Sequence, residues 1–141
     1  MPDNELLNVV CGLIESRGRI LATRRDPRRS FPLLWEFPGG KVEPEEEPES
    51  ALHRELREEL KLEIEIIEPL PPVEYREDGH FIRLIPFRCR PALDWAPVPL
   101  DHCEIRWVSA DEALQLTWAP ADIPLLKHLN PKPFDKLRIN Q

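Results

Sequence analysis

The segment Glu49–Leu60 constrains this chain more than any other stretch. Leu52, Leu56 and Leu60 recur at i, i+4 and i+8, which predicts an amphipathic helix with one apolar stripe. Such a stripe has to be covered, and strand-like segments on either side predict that a sheet covers it. Ala51, Glu55, Glu58 and Glu59 fall beside the stripe, whereas Ser50 and Arg57 point away. At roughly 100° per residue the three carboxylates share about one 100° arc. Packing the stripe therefore sets three like charges at the edge of the contact, facing a cleft. Each pair repels by about 1 kcal/mol in water and about 4 kcal/mol near a protein surface. A hard divalent cation among them relieves that repulsion. The alternative is a solvated acidic helix face with i, i+4 pairs such as Arg54–Glu58.

The rest of the chain narrows the setting. Its 141 residues, 41% apolar, suit one α/β domain spanning 1–141 with a single real core. A net charge of −7 excludes broad electrostatic binding to polymeric nucleic acid or to an anionic membrane. An acidic protein can still take an acidic ligand when metal ions neutralise both. Cys11, Cys89 and Cys103 lack metal-ligand spacing and suit a reducing cytoplasm. Met1–Glu5 is polar and acidic, which predicts no secretory leader, and no apolar run approaches the ~20 residues that span a bilayer. The 17 prolines punctuate loops and predict short elements.

Along the chain, Leu6–Ile14 and Arg19–Thr23 predict a hairpin around Ser16-Arg17-Gly18. A loop over Asp26–Leu34 precedes a short strand, Trp35-Glu36-Phe37, that ends at Pro38-Gly39-Gly40, and Glu43–Pro48 reads as an acidic loop. After the helix, Leu62–Ile67 alternates as a strand does, and Val73–Tyr75 with Phe81–Cys89 predicts a hairpin turning at Asp78-Gly79. Pro91–Pro99 is a proline-rich connection and Ile105–Val108 a short strand. Asp111–Leu116 is expected to be helical with Ser109 as N-cap, and Ile123–Leu129 to be a last helix with Asp122 as cap. Strands interleaved with two or three helices predict an α/β sandwich with a mixed sheet.

Counting from Gly40, Glu46 follows five intervening residues, and Arg54-Glu55-Leu56 follows seven more; Glu58-Glu59 and Leu62 complete the run. This spacing resembles the Nudix box, departing only at the last glycine, where Lys61 stands. The resemblance implies an α/β/α sandwich with the box helix on one face of a mixed sheet. It also implies Mg²⁺, with Mn²⁺ as an alternative, held on a diphosphate by Glu55, Glu58 and Glu59, with the carbonyl of Gly40 as a further ligand. Hard oxygen donors suit that ion, which binds through carboxylates and substrate phosphates. Arg54 is expected to orient a carboxylate, Glu58 by helical spacing, and Glu46 to brace the loop onto the helix. Lys61 replaces a glycine in a left-handed turn at a cost of roughly 1 kcal/mol, so the helix is expected to end differently. Glu45, outside the strict motif, adds charge where many relatives carry glycine.

The likeness extends further. Leu34–Lys41, with Gly39 in its structural turn, resembles the segment before the box in MutT-like nucleoside triphosphate pyrophosphohydrolases, and Trp118–Leu126 resembles their C-terminal segment, most closely in the members acting on CTP and oxidised purines. This implies a small-molecule nucleotide substrate, with Asp122 reading the base as a hydrogen-bond acceptor or else simply capping the helix. Phe37 and Trp118 either flank the base or belong to the core. Of the basic cluster Arg24, Arg25, Arg28 and Arg29, Arg25 matches the place of a phosphate-contacting arginine. Glu104 is the first choice for general base and Asp101 the second, with His102 and a box glutamate as further options. The implied reaction cleaves a (deoxy)nucleoside triphosphate to the monophosphate and pyrophosphate, in a monomer or homodimer, for nucleotide-pool sanitation or control of CTP or a modified pyrimidine nucleotide. Rival readings are hydrolysis of ADP-ribose or a dinucleoside polyphosphate, and a non-catalytic ligand-sensing module.

Overall fold

The first apolar run forms β1, Leu6–Ser16, the strand around which the sheet is organised. The computed structural model describes residues 6–29, 32–92 and 104–129. Arg17 and Gly18 both take positive φ, 54° and 77°, and turn the chain into β2, Arg19–Arg24. Two consecutive left-handed residues make the turn whose twist matches a hairpin. β2 then pairs with β3, Trp35–Glu36. The two glycines expected to end that strand instead form a strand of their own, β4, Gly39–Lys41, antiparallel to Val9–Cys11 of β1. A Cβ on Gly39 would overlap the Val10 carbonyl, so close approach of two backbones requires glycine there.

The helix α1, Pro48–Leu60, appears where the leucine stripe predicts it. Pro48 sits in its first turn, where a missing N–H costs nothing. At its other end Lys61 adopts φ 52°, and Lys61 and Leu62 donate to the Arg57 and Leu56 carbonyls at 3.0 and 3.1 Å. This is the same left-handed closure that glycine would give, so the expectation of a different ending is corrected. β5, Ile64–Pro69, follows. β6, Val73–Glu77, and β7, His80–Pro91, form the expected hairpin, with Asp78 and Gly79 at φ 52° and 80°. β7 runs parallel to β1 from Leu6↔Phe81 to Ile14↔Cys89.

Beyond Ala92 the proline-rich connection lies outside the described residues until β8, Glu104–Val108, which pairs with β2. α2, Ala110–Ala113, is shorter than expected but starts at the predicted cap: the Ser109 hydroxyl accepts from Glu112 N, and the Glu112 carboxylate accepts from Ser109 N. The last helix is a 3-10 helix, Pro120–His128, not the expected helix from Ile123. Pro124, inside the segment, removes an N–H donor and so disfavours an α-helical ladder, whereas Pro120 stands harmlessly in the first turn. Asp122 lies inside this segment and does not cap it; its N-cap is Ala119.

The described strands make one mixed sheet ordered β3-β2-β1-β7-β5, with β4 joined to β1, β6 to β7 and β8 to β2. Val10 and Ile14 of β1 meet Leu52, Leu56 and Leu60 of α1 on one face. Cys11 and Leu13 face the other side, with Trp118, Ala121 and Leu125. The central strand is thus covered on both faces, and the layers are those of an α/β/α sandwich. Among the described residues no helix is long and apolar enough to cross a membrane.

Candidate active site

Arg54 is the hinge of the acidic segment. Its Nε and Nη2 donate to the two oxygens of Glu46 at 2.8 and 3.0 Å, and Nη2 also donates to the Lys41 carbonyl at 3.0 Å. Nη1 lies 3.2 Å from both Glu55 and Glu58. Helical spacing favours Glu58 as the partner, but the two-pronged bond goes to Glu46 and ties the loop to the helix. The side-chain hydrogen bond from Arg54, joined by the Glu43 N–H, lowers the Glu46 carboxyl to about 2. Glu46 thus ties the loop to the helix, as the resemblance implies.

Gly40 sits against Glu55 so closely that a Cβ there would overlap the Glu55 carboxyl group. Burial raises the Glu55 pKa, with Glu58 and Glu46 adding to it and Arg54 opposing. Glu59 is exposed as a residue, yet burial at its carboxyl end pushes it up to about 8, with the charges of Glu55, Glu36 and Glu58 adding and that of Arg29 opposing. Among the described residues no three carboxylate, imidazole or thiol groups close on a common point. Arg54 draws Glu55 and Glu58 toward itself and serves as the cation between them. The donor set nevertheless fits a hard divalent ion: oxygen ligands only, a backbone glycine at the carboxylate with no side chain in the way, and two carboxyls, Glu55 and Glu59, whose ionisation burial and neighbouring carboxylates oppose and a cation would favour.

A cavity of about 170 Å³ opens from Gly39, Gly40 and Lys41 to Asp122. Phe37, Tyr75 and Glu77 also line it, as do Arg25, Arg29 and Glu36. The segment carrying Asp122 is zipped onto β3: Trp35 N donates to the Thr117 carbonyl at 2.9 Å and Ala119 N to the Trp35 carbonyl at 2.8 Å. Asp122 Oδ2 accepts from Phe37 N at 2.8 Å. Burial raises the Asp122 carboxyl to about 7 against that hydrogen bond; Glu36 raises it further, while Arg25 and Arg29 oppose.

The two expected aromatic contacts part company. Phe37 borders the cavity, whereas Trp118 does not; it is 4% exposed, donates Nε1–H to the Ala113 carbonyl, and stacks behind Phe37 with centroids 4.6 Å apart. Arg25, expected at phosphate, is 4% exposed and paired with Glu36 at 2.9 Å and Glu77 at 3.6 Å. Glu104 opens β8 beside Arg24 and Arg106, at 3.2 and 3.5 Å. It borders a separate hollow of about 460 Å³ shared with Asp26, Arg28 and Leu33, which contains none of the box residues. That hollow is larger than the cleft, but it reaches neither Gly40, against which Glu55 packs, nor Asp122. Asp101 and His102 lie outside the described residues. Sequence reasoning missed Glu36, Tyr75 and Glu77. The available signals were a charge between two aromatics in Trp35-Glu36-Phe37, and the alternation that places Glu77 on the same face of β6 as Tyr75.

Fold and cleft together define an α/β/α domain whose cleft runs from Gly40, with Glu55 of α1 packed against that glycine, to a mixed polar and aromatic recess at Phe37, Tyr75 and Asp122. The NUDIX domain matches residues 5–129. The CTP pyrophosphohydrolase of Escherichia coli strain K12 is 40% identical over 123 residues, covering 87% of this chain and 90% of that one. The solution structure of the Escherichia coli ORF135 protein superposes with a TM-score of 0.76 at 35% identity, over 100% of this chain and 96% of that one. A MutT protein structure from methicillin-resistant Staphylococcus aureus 252 gives 0.73 at 38%, over 89% and 96%. The chain belongs to the Nudix family.

Proposed function

We propose that this Nudix hydrolase cleaves a (deoxy)nucleoside triphosphate to the monophosphate and pyrophosphate. The observation that carries this reading is the single cavity running from Gly40, against which Glu55 packs, to Asp122. The likeness to a CTP pyrophosphohydrolase along most of both chains supports a pyrimidine or modified nucleotide. Glu55, Glu58, Glu59 and the Gly40 carbonyl would hold Mg²⁺ or Mn²⁺. When bound, such an ion neutralises and orients the diphosphate and makes water more acidic. Arg54 and Glu46 fix the loop relative to the helix, so that the Gly40 carbonyl and the carboxylates keep one mutual arrangement.

In the reaction, water oxygen bonds to an internal phosphorus, the bond to the pyrophosphate oxygen breaks, and the water proton passes to a carboxylate. Glu58, Glu59 and Glu104 are the candidates for that proton; the place of Glu104 beside Arg24 favours the box pair. At the far end, Asp122 has one oxygen taken by Phe37 N–H, leaving the other for a base edge, with Phe37 beneath. With its carboxyl at about 7, Asp122 can donate or accept near neutrality. Trp118 acts by supporting Phe37. The proposal includes a cytoplasmic single-domain enzyme that acts as monomer or homodimer.

The experiment is pyrophosphate release from the ordinary nucleoside triphosphates, 8-oxo-dGTP and 5-methyl-dCTP, with ADP-ribose as contrast, in Mg²⁺ and then in chelator. Wild type is expected to release pyrophosphate only with the metal. Glu58→Gln and Glu59→Gln are each expected to lower kcat by ~100-fold or more, as loss of one strong electrostatic group does. Rapid turnover of ADP-ribose with none of any triphosphate overturns the substrate; near-normal rates in the variants overturn the mechanism.

A further inference from the structure

The nucleotide reading calls for a cation along the phosphate chain, and among the described residues Arg25, Arg29 and Lys41 line the cavity, with Lys41 beside Gly40 at the box end. Arg54 is committed to Glu46, Glu55 and Glu58, and Arg25 is buried between Glu36 and Glu77. Arg29 differs from both. Its side chain is half exposed, it lines the same cavity, and its Nη1 donates to Glu36 Oε2 at 2.6 Å. Glu36 is thus held from two sides, by a locked arginine at one oxygen and an accessible arginine at the other. Arg29 also feels Glu59 of the box and Glu77 of β6. Although burial lowers the pKa of its guanidinium, the charge and hydrogen bond of Glu36 outweigh this, and Glu59 and Glu77 add to them. It therefore lines the cavity that holds Asp122 and lies within electrostatic reach of Glu59 of the box, so it can meet a phosphate chain that runs from one to the other.

We propose that Arg29 binds the phosphate chain of the substrate next to the nucleoside, exchanging part of its contact with Glu36 for phosphate oxygens, while Arg25 is the buried anchor that keeps Glu36 in place. This rests on the nucleotide reading of the cleft. The exchange suits the chemistry: a guanidinium presents several donors in a fork, so it can keep one oxygen of Glu36 and meet phosphate with the others. An ammonium on a shorter reach of donors reproduces the charge but not the fork. A single half-exposed side chain can move in this way; one that is 4% exposed and doubly paired cannot without disrupting the core.

The test compares Arg29→Ala, Arg29→Lys and Arg28→Ala with wild type. Arg28 shares the loop but is bonded to Asp26 and lines the other hollow. Binding of CMP and of cytidine is measured by calorimetry, and KM and kcat by pyrophosphate release from CTP. Arg29→Ala is expected to weaken CMP and raise the KM for CTP by about tenfold or more, leaving cytidine affinity within about twofold, with Arg29→Lys intermediate. Arg28→Ala is expected to match wild type. The proposal is overturned if Arg29→Ala keeps the preference for CMP over cytidine, or weakens both alike. A wild type that releases no pyrophosphate from any triphosphate sinks the functional reading instead. The CMP-to-cytidine ratio still decides the place of Arg29, and a wild type without that preference overturns it.

Discussion

Asp122 shows how far a single residue can be read. Its position in Pro120-Ala121-Asp122 was legible as a motif, and either base contact or a cap was open. The cap fails because the helix begins earlier and its N-terminus is not at Asp122; the carboxylate instead accepts from Phe37, across a turn that no local pattern reveals. Its burial has a measurable consequence. The folded-state value of about 7 lies above the usual carboxylate value, so the folded protein prefers the protonated form. That contribution is complete below the unfolded pKa near 4 and is lost as pH rises through 7. At about 1.4 kcal/mol per pH decade across that window, the loss is up to about 4 kcal/mol. Asparagine keeps the acceptor and does not titrate, so Asp122→Asn should gain on wild type between pH 5 and pH 8 in urea midpoints. Glu55 and Glu59 titrate with the same sign, so only the difference between the two proteins counts. Parallel pH profiles would mean that the folded-state pKa of Asp122 is not raised above its unfolded value. Arg54 teaches the same lesson: i, i+4 spacing identified Glu58, but the two-pronged bond to Glu46 depends on where the loop returns.

At the scale of elements, α1 was the most legible because its stripe is local and strongly periodic. β4 was the least, because Gly39 and Gly40 carry no strand preference; what makes them a strand is pairing with β1, whose backbone admits nothing larger at Gly39, while Glu55 of α1 admits nothing larger at Gly40. The terminal helix was expected from Ile123, but it begins at Pro120 and is a 3-10 helix, with Pro124 inside it removing a ladder donor. The end of α1 offers a clean test. Lys61 keeps the left-handed turn and both closing hydrogen bonds, so the departure from the motif is borne as strain, not as a changed geometry. Relieving the Cβ penalty is worth roughly 1 kcal/mol, while losing a cation near a helix C-terminus costs about 0.3–1 kcal/mol. Lys61→Gly should therefore be stabilising by up to about 0.7 kcal/mol, a rise in Tm of roughly 1–4 °C by calorimetry, with activity unchanged. A fall in Tm of several degrees would show that Lys61 makes a favourable contact that outweighs its backbone cost.

For the whole molecule, the layers were legible and the wiring was not. Helices alternating with strands predict two covered faces, but nothing local announces that β1 runs parallel to β7. That pairing brings Cys11 and Leu84 to one face beneath the cavity, and Val10 and Phe87 to the other beneath α1. The site is consequently a seam between two layers, and its carboxylates come from both: Glu55, Glu58 and Glu59 from α1, Glu36 and Glu77 from the sheet, Asp122 from the terminal segment. A chain of net charge −7 concentrates acids where an acidic substrate must enter, so folding without a cation works against repulsion that function requires. Saturating Mg²⁺ should then stabilise the folded protein by mass action, about 2.7 kcal/mol at a hundred times Kd. At roughly 2–4 °C per kcal/mol, this raises Tm by about 5–11 °C over the value in chelator. Neutralising two ligands in the double variant Glu55→Gln/Glu59→Gln should remove most of that rise, because the ion loses its donors. In chelator the same variant should be no less stable than wild type, because the repulsion goes with the charges. Differential scanning calorimetry of both proteins, with and without Mg²⁺, reads both effects. A variant that still gains the full rise would place the ion elsewhere, and one that melts well below wild type in chelator would show these carboxylates to be structural.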